Sequence, residues 1–313
     1  MHRVDSQGAA VGPRPSPGNG PVPDGDDGGR MTTNAESSRL MAVAEDAARA
    51  VTPMLLAAFR TAMAVTTKRD AHDIVTAHDR ASEVALSAHI RAAVPESTIV
   101  GEEGGRQGRG RVVWYVDPID GTTNFARGLA QWCVSIGVEV DGRLVAGVVH
   151  APALGETTTA DLSGAWRNGV AITAAARPSE AEAVLLTSFP NARHFEEIGA
   201  RAVAPHRELV DSFLALRNLG SGAIHLAALA AGEADAMLGF CTHSWDIAGG
   251  LFILERAGGR FIGLTAGEEV AASHRADDFF ATGAGVDYPT LERIARDLSR
   301  SMPVGGAAEI ADV

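Results

Sequence analysis

A chain of 313 residues, 46% of them hydrophobic, is long enough to bury a substantial core as one large domain or two sub-domains. Its formal net charge of −12 argues against a general nucleic-acid or anionic-membrane surface. Two cysteines, Cys133 and Cys241, are too few for a disulfide framework and fit a reduced, cytoplasmic setting; no apolar run is long enough to span a bilayer, and no secretory signal is evident.

Residues 1–30 are rich in Gly, Pro and Asp and almost lack large apolar side chains, the composition of a disordered tail; Met31 is a candidate start of the ordinary sequence. Residues 31–176 then read as a sheet-rich sub-domain. Leu40, Val43, Ala47, Val51, Met54, Leu55 and Phe59 recur at helical spacing, with Pro53 predicting a kink or a break. Val84, Leu86 and Ile90 mark a second helix. Strands are predicted at 98–100, 111–117, 132–140 and 143–149, the last two joined by the hairpin signal Asp141-Gly142. Arg167-Asn168-Gly169-Val170 predicts a second hairpin turn. From 177 to 301 the pattern changes to longer helices (193–217, 221–231, 246–257, 287–300) between short strands near 184–188, 234–238, 260–264 and 278–282. Residues 302–313 read as a C-terminal tail. Periodicity therefore gives two layered sub-domains of mixed α and β, the first largely antiparallel, the second alternating.

Three acidic motifs are set into this frame. Val116-Asp117-Pro118-Ile119-Asp120-Gly121-Thr122-Thr123-Asn124-Phe125 follows the apolar run Arg111–Tyr115, so its acids lie where a strand ends and a turn begins. Pro118 stiffens that turn, and Gly121 lets a backbone N–H approach a ligand closely. Hard oxygen ligands, an N–H and a hydroxyl on one rigid turn suit a divalent cation holding a phosphate, although solvated acids in an Asx-type turn share the pattern. Thr98-Ile99-Val100 runs into Gly101-Glu102-Glu103-Gly104-Gly105, whose glutamates alone would read as surface. Ser244-Trp245-Asp246-Ile247-Ala248-Gly249-Gly250 opens an apolar helix, where Asp246 could serve merely as a cap. Glu102, Asp117, Asp120 and Asp246 together form the inventory of a multi-magnesium cluster; no histidine-rich or cysteine-rich set favours zinc.

In this order and at this separation, the motifs resemble the inositol monophosphatase family of magnesium-dependent phosphatases over roughly residues 36 to 300. A fourth segment agrees: Lys68-Arg69-Asp70-Ala71-His72-Asp73-Ile74-Val75-Thr76-Ala77-His78-Asp79 resembles the early family loop that carries a lysine and a final aspartate. The resemblance implies an α+β fold, a five-layer αβαβα sandwich of the inositol monophosphatase/fructose-1,6-bisphosphatase type. It also implies two or three Mg²⁺ ions at the sub-domain junction and a homodimer. Glu102, Asp117 and the carbonyl of Ile119 would bind the first ion; Asp117 would bridge to a second, completed by Asp120 and Asp246; a third would share Glu102. Thr122, hydrogen-bonded toward Asp79, would orient and deprotonate the attacking water. Backbone N–H groups of Gly121 and Thr122 would receive the phosphate.

Lys68 is the sole lysine among 27 Lys and Arg residues, so its compact ammonium is read as offsetting the charge of the cluster. Substrate contacts are expected from Asp120, Asp246 and the helix start at Ser221, Gly222 and Ala223. His225 is a helix-face residue that would point inward or pack in the core. Gly239 stands seven residues before Asp246, where inositol-specific members carry a glutamate that contacts sugar hydroxyls; losing that carboxylate weakens polyol recognition. The expected reaction is hydrolysis of a small phosphorylated metabolite, with inositol-1-phosphate the leading candidate. Histidinol phosphate, fructose-1,6-bisphosphate, adenosine 3′,5′-bisphosphate and other cyclitol or sugar phosphates are the alternatives. A non-enzymatic regulatory binding protein is the remote one. Neither nucleic acid nor membrane is an expected partner.

Overall fold

The computed structural model describes residues 32–67 and 74–303. The expected N-terminal tail, Met31, Lys68 and residues 304–313 lie outside the described residues.

Helices α1 (Asn34–Ala58) and α2 (Ala77–Ala93) flank a short antiparallel pair, β1 (Val65–Thr67) and β2 (Ile74–Thr76). A large sheet follows: β3 (Ser97–Gly101), β4 (Gly105–Gln107), β5 (Val112–Asp120), β6 (Cys133–Val140), β7 (Arg143–Ala151), β8 (Glu156–Asp161), β9 (Gly164–Arg167) and β10 (Val170–Ala171), with the short helix α3 (Thr122–Arg127) between β5 and β6. Its order is β10-β9-β8-β7-β6-β5-β3-β4, antiparallel throughout except for β3 beside β5. The second sheet comprises β11 (Val184–Thr187), β12 (Ala215–Arg217), β13 (Ala236–Gly239), β14 (Arg260–Thr265), β15 (Glu268–Glu269) and β16 (Asp278–Thr282). It is mixed: β11 runs parallel to β12 and β13, whereas β16 lies antiparallel between β13 and β14. Helices α4 (Ala192–Ile198), α5 (Val203–Ser212), α6 (Gly222–Ala230), α7 (Ser244–Arg256) and α8 (Pro289–Ser299) complete the chain.

Packing sorts these elements into the expected α+β sandwich. α1 and α2 cover one face of the large sheet, α6 and α7 lie between the two sheets, and α5 and α8 cover the far face of the second. The layers are thus α, β, α, β, α. Strand β6 shows why: Val134, Ile136, Val138 and Val140 join the core under α1, while Ser135, Gly137 and Glu139 alternate toward α7. On that second face Gly137 and Gly147 pair directly across β6 and β7. A Cβ at Gly137 would come within 2.5 Å of the Ala248 Cβ, and one at Gly147 within 2.4 Å of the Gly249 carbonyl. The backbone of α7 therefore rests on the sheet, and only glycine permits that approach.

Three expectations are corrected. Pro53 does not break α1, because the buried stripe Leu40, Ala44, Ala47, Val51 and Leu55 continues past it while Pro53 itself faces solvent. Packing, rather than the lost hydrogen bond, decides there. The helix expected at 193–217 is α4, a 3-10 turn at Gly199–Ala202 and α5, followed by the strand β12. Gly199, with φ of 57°, caps α4. Met302, expected in the C-terminal tail, is buried in the core beneath α8. None of the described helices is long and apolar enough to cross a membrane.

One polar tie joins the sheets. Buried Glu139 on β6 accepts from the Tyr115 hydroxyl at 3.0 Å and from Arg275 at 3.0 Å, and meets His274 Nε2 at 2.7 Å. Burial by itself would raise its pKa, but the His274 hydrogen bond and the Arg275 charge bring it down to about 2. A folded-state value below the ordinary 4.5 means that ionised Glu139 contributes stability above pH 4.5, and that this is lost as pH falls toward 2. Glu139→Gln should therefore lower the melting temperature at pH 7. The gap from the parent should narrow steadily below pH 4.5 in thermal unfolding; a gap independent of pH would contradict the ionic role.

Candidate active site

Two residues three apart on a regular strand point to opposite faces, so Asp117 and Asp120 need a device to act together. The register of β5 against β6 supplies it: Asp117 pairs with Ser135 but Asp120 with Cys133, three residues against two. The extra residue is a β-bulge, placed where Pro118 has no N–H to give to the ladder. Both acids consequently face the α6 and α7 side. The chain then turns at Gly121, whose φ is 90°. A Cβ there would lie 2.9 Å from the Gln131 carbonyl and 3.3 Å from the Ser221 Cβ, so the turn requires glycine.

Asp117 is 3% exposed, and its Oδ1 accepts from the Ile119 N–H at 3.0 Å. Burial first, then the negative charge of Glu102, Asp120 and Asp246, pushes its pKa well above the ordinary carboxylate range. Three motifs distant in sequence are thus electrostatic neighbours in the fold. Asp120 is raised to about 6, chiefly by burial, against hydrogen bonds from Ser221 and Ala223 that favour the ionised form. Those donors come from the start of α6. Ser221 Oγ and the Ala223 N–H each lie 2.6 Å from Asp120 Oδ2, and the Gly222 N–H lies 3.3 Å from Oδ1. Asp246, the third residue of α7, accepts from the His243 N–H at 2.7 Å, so it does cap the helix while facing the cluster.

A second pair stands beside the turn. Asp79 takes the Thr76 N–H at 2.8 Å and the Thr76 hydroxyl at 2.6 Å on Oδ2, forming the capping box of α2. Its Oδ1 faces Thr122 Oγ1 at 3.1 Å, while the same hydroxyl lies 3.0 Å from the Ile119 carbonyl. Burial raises the Asp79 pKa against the lowering effect of the Thr76 and Thr122 bonds. The loop of Glu102 hangs on β5: its N–H donates to the Val116 carbonyl at 3.2 Å, one residue before Asp117. Among the described residues no three His, Cys, Asp or Glu side chains stand as a formed metal-binding group. The aspartates are instead engaged by the local donors just named.

A cleft of about 810 Å³ reaches Asp246 and is lined also by Ser221, Gly222, His225, Gly239, Ser188, Asn191 and Arg193. His225 is buried in α6 and also borders the cleft, with Nε2 accepting the Leu219 N–H at 2.8 Å. Burial brings its pKa down to about 4, so it is neutral at physiological pH. At Gly239 a Cβ would come within 2.3 Å of the Phe279 ring. The ring fills the space that a side chain at 239 would need. Two participants escaped the sequence reading. Thr76 was signalled by the capping pattern Thr76-x-x-Asp79, and Glu83 by its helical spacing from Asp79; its carboxylate meets the Glu103 and Gly104 N–H groups at 2.7 Å each.

The sequence model of the inositol monophosphatase family matches residues 36–301. The chain belongs to that family. Among its relatives, the Nus factor SuhB of Pseudomonas aeruginosa is 37% identical over 207 residues, covering 64% of this chain and 76% of that protein. A fructose-1,6-bisphosphatase/inositol-1-monophosphatase of Thermotoga maritima is 36% identical over 188 residues, covering 60% and 70%. The solved structure of an inositol monophosphatase from Thermotoga maritima superimposes with a TM-score of 0.72 at 30% identity, covering 83% of this chain and 96% of that one.

The contact at Gly239 yields a prediction. The side chain introduced by Gly239→Glu would have to displace a fully buried ring, so the substitution should cost about 1–3 kcal/mol of stability through overpacking. Differential scanning calorimetry checks it, and an unchanged melting temperature would mean that Phe279 gives way freely.

Proposed function

We propose that this protein is a Mg²⁺-dependent phosphate monoester hydrolase acting on a small phosphorylated metabolite. The observation that carries the reading is the convergence of Asp117, Asp120, Asp246 and Glu102, with the Asp117 pKa pushed up first by its burial and then by the negative charge of the other three. Clustered carboxylate oxygens, with Asp117 buried at their centre, are the donor set that a hard divalent cation takes. The set fits Mg²⁺ by its chemistry. Glu102, Asp117, the Ile119 carbonyl, Asp120 and Asp246 would hold it; an ionised carboxylate has about four lone-pair sites, so the donors already on Asp120 do not exhaust it. When bound, the cation neutralises phosphoryl oxygens and lowers the pKa of water.

The chain's own groups supply the rest. Asp79 accepts the Thr122 hydrogen, which leaves the hydroxyl oxygen free to accept from the attacking water and orient it. Gly121 and Thr122 offer backbone N–H groups to the phosphate. Ser221, Gly222 and Ala223 fix Asp120, and the cleft beyond them receives the alcohol portion. Inositol-1-phosphate remains the first substrate to test, since relatives named for inositol monophosphatase activity resemble this chain. The Nus-factor names of other relatives describe those proteins; the acidic cluster here supports hydrolysis.

Phosphate release should therefore require Mg²⁺ and should be abolished in Asp117→Asn with the fold retained by circular dichroism. Activity that survives the substitution would sink the assignment. Thr122→Ala should lower kcat by about 100-fold or more with KM little changed, because water orientation counts chiefly in the transition state. A pure KM defect in steady-state kinetics would contradict the role.

A further inference from the structure

Helix α2 presents two acids one turn apart on the same face. Asp79 reaches Thr122, and Glu83, which is 4% exposed, reaches the loop between β3 and β4. Its Oε2 accepts the Glu103 N–H and its Oε1 the Gly104 N–H, both at 2.7 Å. The loop is shaped around this carboxylate. A Cβ at Gly101 would lie 2.4 Å from the Glu83 Cδ, and one at Gly104 would lie 2.4 Å from Gln107 Nε2 and 2.6 Å from Glu83 Oε1. Glu102 sits between these anchors and the β5 backbone, because its own N–H is held by the Val116 carbonyl. Its main chain is therefore pinned on both sides, by β5 before it and by Glu83 after it.

We infer that Glu83 is a positioning residue that holds Glu102 in place to receive the cation, and that α2 thereby sets Glu102 and Thr122 in register with one another. The inference rests on the Mg²⁺-dependent reading above. Charge-assisted bonds to two successive N–H groups need both carboxylate oxygens as acceptors. An amide at this position offers one acceptor and turns a donor toward the other N–H. Outer groups that orient a metal ligand typically set affinity by about 10- to 100-fold.

The experiment is calorimetric titration of Mg²⁺ into the full-length parent, Glu83→Gln and Gly104→Ala, with melting temperatures and steady-state kinetics alongside. Gly104→Ala keeps the carboxylate charge but drives a methyl group into the clamp, so it separates positioning from simple loss of negative charge and serves if Glu83→Gln does not fold. The expected result is Mg²⁺ affinity weakened by about 10-fold or more in both variants. KM for the phosphate ester should stay unchanged, and kcat should recover at saturating Mg²⁺. A parent that binds Mg²⁺ with variants that bind it equally well overturns the role of Glu83 alone, even if their melting temperatures fall. A parent that binds no Mg²⁺ overturns the functional reading and this inference with it.

Discussion

The structure is organised around a repulsion. Asp117 is enclosed by the fold with the negative charge of Glu102, Asp120 and Asp246 near it, and its raised pKa registers the cost. Like charges stay together only where the backbone that carries them cannot yield. Each acid here has its own stiff mounting. Asp117 and Asp120 share a bulged strand end with Pro118 and a glycine turn; Asp246 is locked into the first turn of α7; the Glu102 loop is tied to β5 and to Glu83. The glycine contacts of α7 on β6 and β7 matter for the same reason, since they fix the distance from Asp246 to the strand that carries Asp117.

Much of this was legible in the sequence because hydrophobic periodicity and turn chemistry agree. Strands β3, β5, β6 and β7 and helices α2, α6, α7 and α8 fall close to where the patterns place them, and the Asp141-Gly142 turn joins β6 to β7. The misses have separate causes. Strand β8 reads Glu-Thr-Thr-Thr-Ala-Asp, which carries no apolar alternation, yet Thr157, Thr158 and Thr159 are buried. Local bonding engages Thr157, whose Oγ1 lies 2.8 Å from His150 Nδ1. The segment 193–217 has helical spacing throughout, but Gly199 stops the first helix and Phe213 leads into an extended strand.

The candidate site shows the same division. Residue types and order pointed to the acids, whereas the bulge that turns Asp117 and Asp120 to one face is a property of pairing with β6, absent from any local pattern. Glu83 stands at helical spacing from Asp79, but that spacing alone does not separate it from a solvated glutamate until the loop that it holds is known. At Gly239 the missing carboxylate was visible in the sequence, but the Phe279 ring that takes its space comes from β16, far along the chain. The Phe279 ring and Gly239 both line the cleft there, among polar groups that include Ser188, Asn191 and Arg193.

The central claim is that these carboxylates gather to hold divalent cations beside a phosphate. Anomalous diffraction from crystals soaked with Mn²⁺ and inorganic phosphate tests it most directly. The account predicts manganese peaks within coordinating distance of Asp117, one of them shared with Asp120 and Asp246, and phosphate against the Gly121–Thr122 turn. Manganese bound elsewhere, with no peak at Asp117, would contradict it.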